Sequence, residues 1–174
     1  AIAKIAGIKL CEALRTQYNF DAISLMPSNL YGPNDNYHDT NSHVIPALIR
    51  KFQNAKDNNI ASVTCWGSGK PLREFLYVND LAEACIYVLE NWKPNYRKNE
   101  LSWLNVGSND EISIKDLAIL ISNTIGYKGE INWDTSKPDG TPRKKLETSR
   151  INKIGWIPKT DLNTGIKKTI QAFK

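Results

Sequence analysis

The sequence predicts an α/β fold on three observations: a helical pattern over 1–18, a short apolar run at 22–26 that reads as a buried strand, and continued alternation of helix and strand signals after it. From Ala1 to Tyr18 the residues Ile2, Ile5, Ala6, Leu10, Ala13 and Leu14 fall at helical spacing with no internal proline. That helix is under way at the first residue, with no Ser, Thr, Asp or Asn to accept its first free N–H groups, so a truncated chain is expected. Ala22 to Met26 then forms the strand, halted by Pro27.

The remaining elements follow in order. Pro33 to Ser42, rich in Asn and Asp, is a loop, and Val44 to Ala55 is a helix with Val44, Ala47, Leu48 and Phe52 on its apolar face. Alternation at Val63 and Cys65 predicts a strand. Asp80, with Glu83 three residues on, resembles a capping box opening an apolar helix that reaches Trp92. Pro94 to Glu100 is a polar connection and Trp103 to Val106 a short strand. Ser113 caps a helix with Ile114, Leu117, Ala118, Ile121 and Ile125 inward, stopped by Gly126. Ile131 to Trp133 reads as a strand, Ser136 to Thr141 as a loop, and Leu162, Ile166, Ile170 and Phe173 as one face of a last helix.

Composition narrows the class. With 174 residues, 41% hydrophobic and 24% charged, the chain can bury one core, and no stretch approaches the roughly 20 apolar residues of a membrane span. No membrane association is expected. Three cysteines, an odd number on helix or strand segments, argue against a disulfide framework and for a reducing, cytoplasmic setting. The net charge of +5 suits nucleic acid or a small anion such as a nucleotide diphosphate. The basic residues are scattered apart from Arg143, Lys144 and Lys145, and no zinc-finger or RNA-recognition signature appears, so nucleic acid is not the expected partner. No metal site is expected.

Several segments carry candidate chemistry, each with a plain alternative. Asn29-Leu30-Tyr31-Gly32-Pro33 follows the first strand, where open α/β sheets place ligands, or is a generic turn. Arg73 in Arg73-Glu74-Phe75-Leu76-Tyr77-Val78-Asn79-Asp80 can bind a diphosphate in bidentate fashion, or form a surface ion pair. Trp66-Gly67-Ser68-Gly69 offers an aromatic face and open backbone, or a core tryptophan. His43, in Asn41-Ser42-His43-Val44-Ile45-Pro46, carries an imidazole, the side-chain type suited to moving a proton at a carbon beside a ketone, or simply caps a helix. In Ser136-Lys137-Pro138-Asp139-Gly140-Thr141-Pro142-Arg143-Lys144, Asp139 can accept hydrogen bonds from a base or sugar while Arg143 and Lys144 approach phosphate, or the loop is a solvated turn.

Taken in order, these segments and the opening Ala1-Ile2-Ala3-Lys4-Ile5-Ala6-Gly7 resemble the GDP-L-fucose synthases, within the extended short-chain dehydrogenases/reductases, over nearly the whole chain. Lys4 matches the lysine of that family's Tyr-x-x-x-Lys motif, whose tyrosine is missing; residues four apart share a helix face, where an ammonium lowers the tyrosine pKa. Glu74 stands where aspartate is commoner. The resemblance implies that residues 1–43 and 101–110 are the C-terminal part of a Rossmann-type parallel sheet, and 44–100 and 111–174 a smaller α/β substrate-binding domain. It implies Lys4 and His43 as catalytic, Lys4, Pro27, Ser28, Asn29, Leu30 and His43 against NADP(H), and Lys51, Trp66, Arg73 and Asp139 against a GDP-sugar.

The implied activity of the complete enzyme is NADPH-dependent conversion of GDP-4-keto-6-deoxy-D-mannose to GDP-L-fucose, by epimerisation at C3 and C5 and reduction at C4. A homodimer using the first helix is implied too. The cysteine that partners the family histidine belongs to the missing region, so Cys11, Cys65 and Cys85 are expected to be buried small hydrophobes. The chain alone is expected to be inactive and, with an unpaired sheet edge, poorly stable. Two alternatives remain: another sugar-nucleotide epimerase or dehydratase, sharing Arg73 and the Asn29 loop but not the His43 and Asp139 segments, or a non-catalytic nucleotide-binding fragment.

Overall fold

The computed structural model describes residues 2–93 and 101–173; the expected polar connection from Pro94 to Glu100 lies outside them. In chain order the elements are α1 (Ile2–Tyr18), β1 (Ser24–Pro27), β2 (Asn29–Tyr31), α2 (Val44–Asp57), β3 (Ser62–Trp66), β4 (Leu72–Tyr77), α3 (Val78–Asn91), β5 (Trp103–Val106), β6 (Glu111–Ser113), α4 (Ile114–Ile125), β7 (Glu130–Asp134), β8 (Arg143–Lys144), α5 (Ser149–Lys153) and α6 (Leu162–Ala172). The α/β class is as expected. β1 pairs parallel with β5, and β3 parallel with β7. Between them stands a mixed sheet in which β4 takes parallel partners in β2 and β8 and an antiparallel one in β6.

Two hydrophobic clusters result, and β4 feeds both. Phe75 and Tyr77 point into the cluster built by α2, α4, α6, β3 and β2, whereas Leu76 joins Ala84, Val88, Leu104, Val106, Ile151 and Trp156. The two-residue period of a strand produces this division, and it makes β4 the shared wall of the molecule. Its contiguous apolar residues carry no alternation, which is why the sequence did not mark it as a strand. β2 was expected to be loop; pairing of Asn29 with Phe75 and Tyr31 with Tyr77 makes it a strand instead.

α4 forms as its local signals require. Ser113 Oγ accepts from the Asp116 N–H at 3.0 Å, and Gly126 closes the helix in the left-handed region at φ 81°, while Leu117, Ala118, Ile121 and Ile125 are buried. Ser113→Ala is expected to cost about 1 kcal/mol, read as a lower urea midpoint with an unchanged slope.

Three expectations need correction. α3 begins at Val78, and Asp80, 4% exposed, does not open it through a capping box with Glu83. Its carboxylate instead accepts from the N–H groups of Lys159 (3.2 Å) and Thr160 (2.9 Å) and from Thr160 Oγ1 (2.9 Å), and Glu83 pairs with Lys159 at 2.6 Å. Distant partners outcompete the local cap. β1 is only partly buried, with Met26 38% exposed. Of the cysteines, Cys65 is buried, but Cys11 is half-buried and Cys85 exposed.

α1 is helical as expected, yet none of its residues is buried: Ile2, Ile5 and Leu10 are 83%, 60% and 60% exposed. Polar contacts tether it, with Ser102 Oγ donating to Glu12 at 2.6 Å and Arg15 reaching the Ala22 carbonyl at 3.3 Å. Apolar spacing shows that a helix has a face to cover; it does not say what covers it.

Candidate functional site

Two adjoining cavities flank the first turn of α2. One, of about 430 Å³, is lined by Ser28, Asn29, Leu30, His43, Phe75 and Lys144. The other, of about 290 Å³, is lined by Thr40, Ser42, Val44, Lys51, Cys65 and Trp66. Residues far apart in the sequence meet here because β2 and β8 both pair with β4, while α2 presents its N-terminus beside β2. A third space of about 390 Å³, bordered by Ser108, Glu111, Pro158 and Asp161, holds none of the expected site residues.

The first cavity is polar where the strands end. Ser28 lies between β1 and β2, its N–H donating to the Val106 carbonyl at 2.9 Å. Its Oγ is buried and has no hydrogen-bond partner among the described residues. A buried hydroxyl left unpaired beside a cavity is what a ligand with complementary polar atoms would satisfy, so these residues fit a nucleotide cofactor. Asn29 Nδ2 donates to the Glu74 carbonyl at 2.8 Å, which fixes the amide at the cavity wall. His43 occupies the N-cap position of α2 with φ −70° and ψ 170°, but its side chain makes no capping bond. The ring is exposed and borders both this cavity and a smaller one of about 260 Å³ against Tyr31 and Asp35.

The second cavity is built around an aromatic face. Trp66 ends β3 and is 68% exposed, with Lys51 and Lys137 ammonium groups 5.6 and 5.9 Å from its ring centroid. An exposed indole face with flanking cations suits a planar, anionic ligand. Lys51 also donates to the Thr64 carbonyl at 3.1 Å. Cys65 stands beside it, its thiol pKa raised by burial in spite of Lys51.

A pair of loops interlocks above this surface. Asp139 accepts from the Ser68 N–H at 2.8 Å and from Ser68 Oγ at 2.6 Å. Gly67, at φ 80°, allows the approach, since a Cβ there would stand 2.4 Å from the Asp139 carboxylate. Arg73 Nη1 donates to the Thr141 carbonyl at 2.6 Å and to that of Leu72 at 2.7 Å, so the guanidinium holds the same loop from below. Hydrogen bonds from the Ser68 hydroxyl and then its N–H keep the Asp139 pKa below the ordinary 3.8. A depressed carboxyl pKa stabilises the latched form above the ordinary value, and this is lost as pH falls through the lowered one. The Ser68 amide resonance is therefore expected to titrate with a midpoint below the ordinary aspartate value of 3.8; a midpoint at or above that value would contradict the latch.

The expected site residues are thus unevenly assembled. Ser28, Asn29, Leu30 and His43 share one cavity, Lys51 and Trp66 the next, and Arg73 and Asp139 hold the loops between β3, β4 and β8. Pro27, exposed at the end of β1, adjoins Ser28. Lys4 lies on exposed α1 and lines neither cavity. Arg143, paired in sequence with Lys144 as a phosphate contact, is committed elsewhere: its Nε and Nη2 donate to Glu111 at 2.8 and 2.6 Å, and this holds the Glu111 pKa down. Lys144 takes the cavity position instead, because alternate residues of β8 face opposite ways. Phe75 was not expected as a site residue, and only the pairing of β4 with β2 and β8 brings it there.

Among the described residues there is no group of three or more His, Cys, Asp or Glu side chains that could hold a metal ion, and no helix is long and apolar enough to cross a membrane.

Comparison with known proteins gives a consistent picture. Residues 1–103 match the NAD dependent epimerase/dehydratase family. The chain is 52% identical over 173 residues to GDP-L-fucose synthase 1 of Arabidopsis thaliana, covering 99% of this chain and 52% of that protein. It superposes on the crystal structure of a GDP-6-OMe-4-keto-L-xylo-heptose reductase from C. jejuni with a TM-score of 0.87 at 33% identity, over 99% of this chain and 59% of the other. A GDP-L-fucose synthetase from Naegleria fowleri bound to NADP aligns with a TM-score of 0.78 and 31% identity, over 87% and 44%. The chain spans about half the length of the curated relatives it matches.

Proposed function

The chain belongs to the NAD dependent epimerase/dehydratase family, and from that premise we propose that it is the C-terminal portion of a GDP-L-fucose synthase. The complete enzyme converts GDP-4-keto-6-deoxy-D-mannose to GDP-L-fucose with NADPH. The observation that carries this reading is the convergence of Ser28, Asn29, Leu30, His43 and Lys144 on one cavity beside the Trp66–Lys51 surface. Its support from outside is the 52% identity to a GDP-L-fucose synthase.

In this reading residues 1–43 with 101–110 belong to the NADP-binding unit and 44–100 with 111–174 to the substrate unit. Two hydrophobic clusters support a two-part design, but α3 and α5 of the second range pack with β1 and β5 of the first, and Tyr31 of the first packs with α2 and α6 of the second, so the packing does not follow these boundaries. Pro27, Ser28, Asn29 and Leu30 face the nicotinamide side of the cofactor, with the unpaired Ser28 hydroxyl as an available partner. NADPH, when bound, supplies hydride for the C4 ketone. His43, uncommitted to capping, is the acid that delivers a proton to the sugar carbon beside that ketone, on the face opposite the one from which the family's partner cysteine removes it. Lys4 lowers the pKa of the family's tyrosine and reaches the cofactor ribose. Trp66 stacks on guanine, Arg73 and Lys51 meet the diphosphate, and Asp139 contributes hydrogen bonds once its loop engages the ligand. A homodimer through α1 would cover Ile2, Ile5 and Leu10, and the setting is the reducing cytoplasm.

Calorimetric titration tests the reading. GDP is expected to bind and UDP at least tenfold more weakly (about 1.4 kcal/mol), with no NADPH oxidation by the chain alone. Equal affinity for UDP would favour a different sugar-nucleotide enzyme; absence of GDP binding would defeat the assignment.

A further inference from the structure

We propose that Glu74 is a positioning residue that holds the cofactor-side wall of the candidate site in register with its substrate side, an inference that rests on the functional reading above. Glu74 is 0% exposed, on the face of β4 that also carries Leu76. Each of its hydrogen bonds leads to a place where the chain crosses between the two hydrophobic clusters. Oε1 accepts from the Asn109 N–H at 2.8 Å, in the turn from β5 to β6. Oε2 accepts from the Leu146 N–H at 2.9 Å, on the way from β8 to α5. The Glu74 carbonyl accepts from Asn29 Nδ2 at 2.8 Å, at the passage from β1 to β2.

The consequence for the site is direct. Asn29 lines the first cavity from one side, and Lys144, two residues before Leu146, lines it from another. One buried side chain and its own carbonyl therefore anchor both walls to β4. The fit is tight: a Cβ on Gly107 would stand 2.2 Å from Oε1, so the turn is shaped to bring an N–H onto the carboxylate. A buried carboxylate must find donors, and here they come from the crossing segments. Asp80 treats another crossing, at Lys159 and Thr160, in the same way.

The test compares Glu74→Gln and Glu74→Asp by amide hydrogen exchange and GDP titration. Gln keeps the shape but replaces one acceptor oxygen by a donor, so the Asn109 or the Leu146 amide should exchange at least about tenfold faster. The amides of Leu117 and Ile121, in the core of α4, should change less than about twofold, and GDP affinity should fall about tenfold as Lys144 moves. A plain core role would instead shift exchange everywhere together, or leave GDP affinity in proportion to the folded fraction; either result overturns the proposal. Should Glu74→Gln fail to fold, Glu74→Asp decides: local loss of protection at one of the two amides with weaker GDP binding supports the proposal, and wild-type values in both readouts overturn it. If the unaltered chain binds no GDP, the functional reading fails, and the exchange arm alone judges whether Glu74 holds the crossings.

Discussion

Gly165→Ala is expected to destabilise the protein by about 2 kcal/mol, although alanine is intrinsically the better helix former by about 1 kcal/mol. Gly165 is buried in α6, and a Cβ there would stand 2.0 Å from the Tyr31 hydroxyl oxygen and 2.8 Å from Cζ. Neither side can yield. Tyr31 is 2% exposed, with ring centroids 6.4 Å from Phe75 and 5.7 Å from Tyr77. Its phenol pKa is raised by burial, then by Asp80 and Asp161, so it stays neutral and fixed against the helix. Tyr31→Phe in the Gly165→Ala background should recover part of the loss by removing the nearest atom. Urea unfolding of the wild type, Gly165→Ala, Tyr31→Phe and the double variant measures both effects, and a raised midpoint for Gly165→Ala would show that helix propensity outweighs the contact.

Arg73→Ala is expected to weaken GDP binding about 10- to 100-fold, the range for losing charge-assisted hydrogen bonds from a guanidinium. Two effects add. In the proposed complex the diphosphate would lose its guanidinium partner, and the Thr141 carbonyl loses the 2.6 Å bond that steadies the Asp139 loop. Arg73→Lys should restore little, because a point charge cannot serve two oxygens in a plane. Calorimetry measures this directly, and a loss smaller than threefold would remove Arg73 from the binding surface.

Legibility differed between elements for identifiable reasons. α4 was readable to the residue because its stop and start depend on neighbours: Ser113 bonds three residues on, and Gly126 closes the helix through Ser122 and Asn123. β2, β6 and β8, of three, three and two residues, are too short for a two-residue period to show, and they exist only because β4 pairs with them. Asp80 misled because spacing to Glu83 resembles a cap, while its true partners lie 79 and 80 residues away. In the site, His43 and Trp66 stood out by residue type and motif. Lys144 could not be separated from Arg143 until β8 turned one toward the cavity and the other onto Glu111.

The amino-acid order alone settled the α/β class, most of the helices and the family-like motifs, because those depend on groups within a few residues of one another. The tertiary structure decided which apolar faces are covered, leaving that of α1 open, and which motif residues meet. Asn29 reaches Glu74 across 45 residues and Asp139 reaches Ser68 across 71. Contacts over such distances depend on how strands pair and which side chains must satisfy buried polar groups, and no local pattern encodes that outcome.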